Sequence, residues 1–304
     1  MKSIHGARMS KIVFAAYLVF VPPTSLYHMF LEPNLSEGVR VVGSLLSLFV
    51  SVPTLLAFCI IVSSLEASAR ARGVTGFFGW MRGLPWGNPA MTNMGWAAVN
   101  MMLGITFAFV LIQEKLAPML SDTFFVPGYF HFFAVGVLTQ TFLAALMVVL
   151  PALGGGSLWR PEVLRRMPVI VTVGLLVFGA AGIAAGFMGV PRRVFDVSYG
   201  GLAPAAWPVL MALVGIGATI FAVAISVTAY GVVRTLLSRR GSITTEQASV
   251  VDWHAGSSGV GAAPAWTGPM SVAALVAAMY AFTIIAFQLI QSLPIIAIGG
   301  GHGH

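Results

Sequence analysis

Residues 126–133 read VPGYFHFF and carry two side chains able to ligate iron. His131 offers a neutral imidazole, a standard axial ligand of haem iron. Tyr129 offers a phenolate, which also ligates haem iron in some enzymes. On an α-helix each residue turns about 100°, so two positions two apart point to nearly opposite sides. A pair so spaced can serve two separate sites flanking one helix. The plainer alternative for His131 is an interfacial histidine hydrogen-bonded to a loop.

Other candidates cluster in the same way. Arg192 and Arg193 follow GV-Pro and ask for an anionic partner. Each guanidinium presents a planar fork that matches a carboxylate; Asp196 or lipid headgroups are the ordinary alternatives. Tyr27 and His28 stand together in SLYHMFLEP. One histidine beside one tyrosine is a poor copper site, since such sites collect several nitrogens or a thiolate. The plainer alternative is an amphipathic interfacial anchor, with Tyr27 in the aromatic belt. Glu66 is placed to pair with Arg70 four residues on. Cys59 lies in an apolar run and reads as a small core hydrophobe; a single cysteine excludes a disulfide framework or a CxxC metal site. The terminal GGGHGH reads as a tail, and His5 and His254 carry no signal.

The elements that must position these residues are membrane helices. The chain has 304 residues, 58% hydrophobic and 8% charged, against about 25% charged in soluble domains. Its mean hydropathy is +0.92. A spanning helix needs roughly 20 apolar residues, and seven segments qualify or nearly do: 11–27, 41–65, 94–113, 128–150, 168–189, 206–236 and 269–291. The basic N-terminus precedes an apolar run without a small-residue cleavage site, so the first helix is expected to be retained. No repeat or second soluble domain is visible, and residues 1–304 read as one membrane domain.

Lysine and arginine accumulate in cytoplasmic loops. With the N-terminus inside, the inner loops hold twelve: Lys2, Arg8, Lys11, Arg70, Arg72, Arg82, Arg160, Arg165, Arg166, Arg234, Arg239 and Arg240. The outer loops hold four: Arg40, Lys115, Arg192 and Arg193. The expected orientation is therefore N-terminus cytoplasmic and C-terminus outside. The net charge of +7 then belongs to membrane topology, and no nucleic-acid partner is expected. In this orientation His28, His131, Arg192 and Arg193 gather at the outer membrane edge, where polar groups at membrane depth are usually functional.

These stretches resemble the C-terminal half of subunit I of the haem–copper oxidases, in particular the B-type, ba-type branch. The similar segments are YHMFLEP, the long run from SLLSLFV to LPWGNPA, FVPGYFHFF and GVPRRVFD, in family order over roughly residues 9–240. The resemblance implies an all-α polytopic bundle whose seven spans correspond to the family's last seven, in a bacterial or archaeal cytoplasmic membrane. It also implies roles. The family carries a double histidine, two of three copper ligands, where this chain has Tyr27 and His28. Its VPG-H-x-H motif supplies a high-spin haem ligand and then a low-spin haem b ligand, where this chain has Tyr129 and His131. Arg192 and Arg193 resemble the family's propionate-binding arginines. In span two the family's proton route passes VPTLLAF, which keeps Thr54 but has Ala57 one turn on.

Both departures fall on the oxygen-reducing centre and none on the haem b ligand. The expectation is an electron-transfer subunit that holds haem b through His131, with copper and high-spin haem absent. The second axial ligand is expected from a partner membrane chain resembling the N-terminal half. Further respiratory subunits or a cytochrome c-like carrier complete the expected partners. The alternatives are half of a split functional terminal oxidase, with Tyr129 a remodelled ligand, and a haem-free structural membrane subunit. A transporter is disfavoured, because no broken-helix repeat pair is evident. Tyr27→His alone is expected not to restore copper, since Tyr129 and the missing third ligand still leave the site incomplete. Metal analysis of the purified variant checks this, and stoichiometric copper would show the reading wrong.

Overall fold

The computed structural model describes residues 6–21, 51–112, 116–154, 157–194, 196 and 198–238, with isolated positions at 36, 38, 39, 42, 270, 274, 277, 278, 281 and 285. Tyr27 and His28 lie outside the described residues, as does most of the expected seventh span. Among the described residues the fold is all-helical. In chain order the elements are α1 (Gly6–Phe20), α2 (Ser51–Ala71), the short α3 (Gly79–Arg82) and α4 (Pro89–Ile112). After the short α5 (Ala117–Leu120) comes α6 (Phe125–His131), which runs into a π-helical stretch (Phe132–Thr139) and then α7 (Gln140–Gly154). The last two are α8 (Pro161–Phe187) and α9 (Ala206–Leu237). Five helices among the described residues are long and apolar enough to cross a membrane, and Lys11–Phe20 is a shorter apolar helix.

Several boundaries differ from the hydropathy reading, each for a local reason. The fourth span begins at Phe125, so VPG is the first turn of a helix rather than a turn before one. Pro127 sits where a missing N–H removes no intrahelical bond. The third span begins at Pro89: Asn88 Oδ1 accepts from the Ala90 N–H at 2.8 Å, and proline at the first helical position has its φ already set. The fifth span begins at Pro161, seven residues before the expected 168. Pro161 and Glu162 favour a helix start there, and Arg165 reaches back to Glu162 at 2.9 Å. Pro168 removes one rung without ending α8, as buried prolines in spanning helices do.

Helix α8 is the hub. One face presents Gly179, Gly182 and Gly186, and each is met closely by the fourth span. A β-carbon at Gly128 of α6 would lie 2.9 Å from the Ile183 nitrogen and 3.0 Å from the Gly182 carbonyl carbon. A β-carbon at Gly186 would collide with the backbone of Phe125, and one at Gly179 with the Phe132 ring. On the other side Gly174 meets Gly217 of α9, whose β-carbon would lie 2.7 Å from the Gly174 oxygen. Small residues let helix backbones approach in lipid, where no hydrophobic drive brings helices together. Apolar side chains fill the remaining space: Phe132, Val171, Leu175, Phe178, Val214 and Phe221 form one cluster, and Leu111, Leu120, Phe125 and Ile183 another.

Gly128→Val is therefore expected to destabilise the bundle by about 3 kcal/mol, because the obstructing atoms are backbone and cannot swing aside. Thermal unfolding of the purified variant against the parent checks this. An unchanged transition would mean that α6 and α8 are not in backbone contact.

Candidate functional site

His131 is the last residue of α6, at the junction with the π-helical stretch. Its Nδ1 lies 2.7 Å from the carbonyl oxygen of Pro127. A carbonyl only accepts, so Nδ1 carries the proton and donates, which assigns the tautomer and leaves the Nε2 lone pair free. Nε2 has no hydrogen-bond partner among the described residues. The half-buried ring lies against Phe178 of α8, with centroids 4.4 Å apart, and Phe221 of α9, at 6.1 Å. An imidazole held through its other nitrogen by a backbone carbonyl is the usual arrangement of a metal-ligating histidine.

Tyr129 leaves the helix on another side. It joins the cluster of Leu111, Leu120, Phe125 and Ile183 together with Phe107 and Val110 of α4, and its ring lies 5.9 Å from Phe125 and 6.4 Å from Phe133. The two candidate ligands thus face different neighbours, as their spacing requires.

The arginine pair is brought to the same end of the bundle. After α8, Gly189 turns the chain with φ +81°, and the Val190 N–H closes on Ala185 at 2.9 Å. The chain then zips to the segment before α6. The Phe124 N–H donates to Val190 O at 2.7 Å, Thr123 and Pro191 bridge, and the Arg192 N–H donates to Asp122 O at 2.9 Å. His131 lies six residues beyond Phe125, about 9 Å along the helix axis. Arg192 Nη2 pairs with Asp122 Oδ1 at 3.1 Å, not with Asp196, the carboxylate offered as its ordinary alternative. Asp122 is the closer carboxylate because the bridge lays its strand beside the arginine. Arg192 Nε is buried without a partner among the described residues. Arg193 is exposed and holds φ 64°, a left-handed conformation that favours glycine. Strain of this kind, of order 1–3 kcal/mol, concentrates at functional sites.

The remaining sequence candidates fall elsewhere. Glu66 is buried and pairs with Arg70 at 2.6 Å. Thr54 accepts the Tyr17 hydroxyl at 2.9 Å, joining α1 to α2. Cys59 packs at the margin of the Phe58–Trp80–Met91 cluster. Sequence reasoning missed Asp122, the Pro127 carbonyl, and the walls Phe178 and Phe221. The glycine spacing in GAAGIAAG could have shown which face of the fifth span meets the fourth; nothing local marked the two phenylalanines.

Fold and site together define a multi-pass helical membrane protein with one tautomer-locked imidazole between apolar spans and an arginine pair at the same end. The family described as cytochrome c and quinol oxidase polypeptide I matches residues 1–220. Cytochrome c oxidase subunit 1 of Thermus thermophilus is 30% identical over 238 residues, covering 76% of this chain and 41% of the relative. The solved structure of a haem–copper terminal oxidase dimer superposes with a TM-score of 0.71 at 18% identity, covering 83% of this chain and 48% of that one. The chain belongs to the cytochrome c and quinol oxidase polypeptide I family. It spans less than half the length of the relatives it matches.

Asp196 has its own local task. Its carboxylate accepts from the Ser198 hydroxyl and N–H, both at 2.8 Å, and from the Gly200 N–H at 3.3 Å. The Ser198 side-chain bond first, then the backbone bonds, hold its pKa below the usual carboxylate value. A lowered folded pKa means the bonds are fully present above the ordinary value of about 4 and are lost as pH falls through the lowered one. Protection of the Ser198 and Gly200 amides in hydrogen exchange is thus expected to persist at about pH 4 and fall below it. Loss of protection already well above that ordinary carboxylate value would contradict this.

Proposed function

We propose that this chain is a haem b-binding electron-transfer subunit of a respiratory membrane complex, built like half of an oxidase subunit I that has given up the oxygen-reducing site. The observation that carries this reading is the His131 ring, with its Nδ1–H tied to Pro127 O and its Nε2 unpartnered among the described residues, packed against the paired rings of Phe178 and Phe221. These residues fit a haem. Nε2 would ligate the iron, the two phenylalanines would supply an apolar wall, and Arg192 and Arg193, at the same end, would receive the propionates. When bound, the haem supplies a one-electron couple. The protein's part is to hold the ligand in one tautomer, keep the surroundings apolar and neutralise carboxylates with the arginine forks.

The same reading assigns Tyr27, His28 and Tyr129 to degenerate ligand positions. Tyr129 supports this by its packing among Phe107, Leu111 and Phe125, where it fills space in the way a core aromatic does. A further ligand to the iron would come from a polypeptide resembling the part of the relatives that this chain does not cover. Arg165 and Arg192 lie at opposite ends of α8, which supports the orientation with Arg165 cytoplasmic and the His131 end outside. Seven spans, with the C-terminus outside, complete the proposed topology.

The test is spectroscopic. In the purified complex, His131→Ala is expected to abolish or convert the low-spin haem b spectrum. Tyr129→Phe and His28→Ala are expected to leave it nearly intact. A pyridine haemochrome with no haem b in the parent would overturn the proposal. So would loss of the low-spin signal in the His28 variant with retention in the His131 variant. Bound copper with cyanide-sensitive oxygen consumption would point instead to half of a working split oxidase.

A further inference from the structure

A second polar feature lies on the inner side of α7, away from the His131 walls. Asn100 of α4, Gln140 at the start of α7 and Thr172 of α8 are each at most 2% exposed. They belong to one seam. Gly136 stands against Asn100, because a β-carbon there would lie 2.7 Å from Asn100 Cγ and 3.0 Å from Leu175 Cδ1. Gln140 follows four residues later, on the buried side shared with Gly136, Leu143, Ala144 and Met147. Ala97 and Asn93, one and two turns before Asn100, continue the facing stripe of α4, and Asn93 Nδ2 lies 3.8 Å from Met147 Sδ.

Counting donors shows what the seam lacks. Asn100 Nδ2 spends both hydrogens, one on Trp96 O and one on Thr172 Oγ1, each at 2.9 Å. The Thr172 hydroxyl donates to Pro168 O at 3.0 Å. Asn100 Oδ1 and both polar atoms of the Gln140 amide remain without partners among the described residues. A direct bond from Gln140 Nε2 to Asn100 Oδ1 would still leave Gln140 Oε1 without a donor. Both amides are buried among the described residues, Asn100 at 0% and Gln140 at 1% exposure. An unpaired amide at that depth is strongly disfavoured. Water is the molecule that donates and accepts at once, and buried waters typically sit where two to four polar partners converge.

We propose that Asn100, Gln140 and Thr172 form a binding site for ordered water between α4, α7 and α8. The site is closed on the His131 side by Phe132, which is 1% exposed and stacked on Phe107 with centroids 6.0 Å apart. The water bridges Gln140 to Asn100 and anchors the far end of the π-helical stretch to two other helices. It is a site independent of any cofactor at His131.

A density map of the unmodified protein, with whatever partners it carries, gives the first test. At least one water peak is expected within about 3.2 Å of both a Gln140 amide atom and Asn100 Oδ1. A direct Gln140–Asn100 bond without a peak would overturn the proposal. The second test uses Gln140→Glu in the same preparation, where burial keeps the acid neutral. Its carbonyl stretch is expected to shift down within minutes of transfer into D2O, because water in the seam exchanges its proton. A band unmoved after hours would mean a dry seam and sink the idea.

Discussion

The closeness of α6 to α8 is the constraint on which the candidate site depends. Bilayer lipid gives helices no hydrophobic reason to associate, so contact comes from backbone packing. Here it comes from absent side chains: Gly128 meets Gly182 and Ile183, and Gly186 meets Phe125. Because α8 is also joined to α9 through Gly174 and Gly217, the three helices stack tightly enough for Phe178 and Phe221 to reach the His131 ring together. A looser crossing would leave the ring beside a single phenylalanine, with its outward nitrogen in lipid.

The loop at the same end works by geometry more than by energy. The Arg192–Asp122 pair joins a quarter-exposed arginine to a largely exposed carboxylate, and such pairs contribute at most about 1 kcal/mol. Its consequence is positional. Together with the Phe124–Val190 and Arg192–Asp122 backbone bonds it fixes where two cations stand relative to the start of α6. Arg193, held at φ 64°, projects from a backbone that a glycine would have adopted more readily. The sequence keeps arginine there despite that strain.

Much of this could be read from residue types alone. Long apolar runs located the five spans found among the described residues, and the two-residue spacing of Tyr129 and His131 separated their directions. What could not be read was set by contacts between distant segments. The helix starts at Phe125 and Pro161 depend on proline in a first turn, which in sequence looks like a break. The choice of Asp122 over Asp196 as the partner of Arg192 depends on a bridge between Thr123 and Pro191, 68 positions apart by subtraction of their numbers. The polar seam was silent, since Asn100, Gln140 and Thr172 carry no spacing signal within any one helix. The π-helical stretch has no compositional mark either: FFAVGVLT reads as ordinary apolar helix.

That stretch divides the fourth span into two rotational settings. The Thr139 hydroxyl bonds to Ala134 O, five residues back, and the wider turn absorbs residues that an α-helix of the same rise would have to rotate around its axis. Upstream, the setting suits His131 against the paired rings of Phe178 and Phe221; downstream, it suits Gln140, Met147 and their neighbours facing α4. Deleting one residue between 132 and 139 would let the span revert to α-helical bonding with every backbone group satisfied. Regular α-helical bonding without that deletion would turn one half against the other by about 100°. The span could then keep its imidazole aligned or its amide seam aligned, but not both. A backbone irregularity thus acts as a phase shifter, letting a single helix satisfy two sets of neighbours whose spacing no regular helix can match.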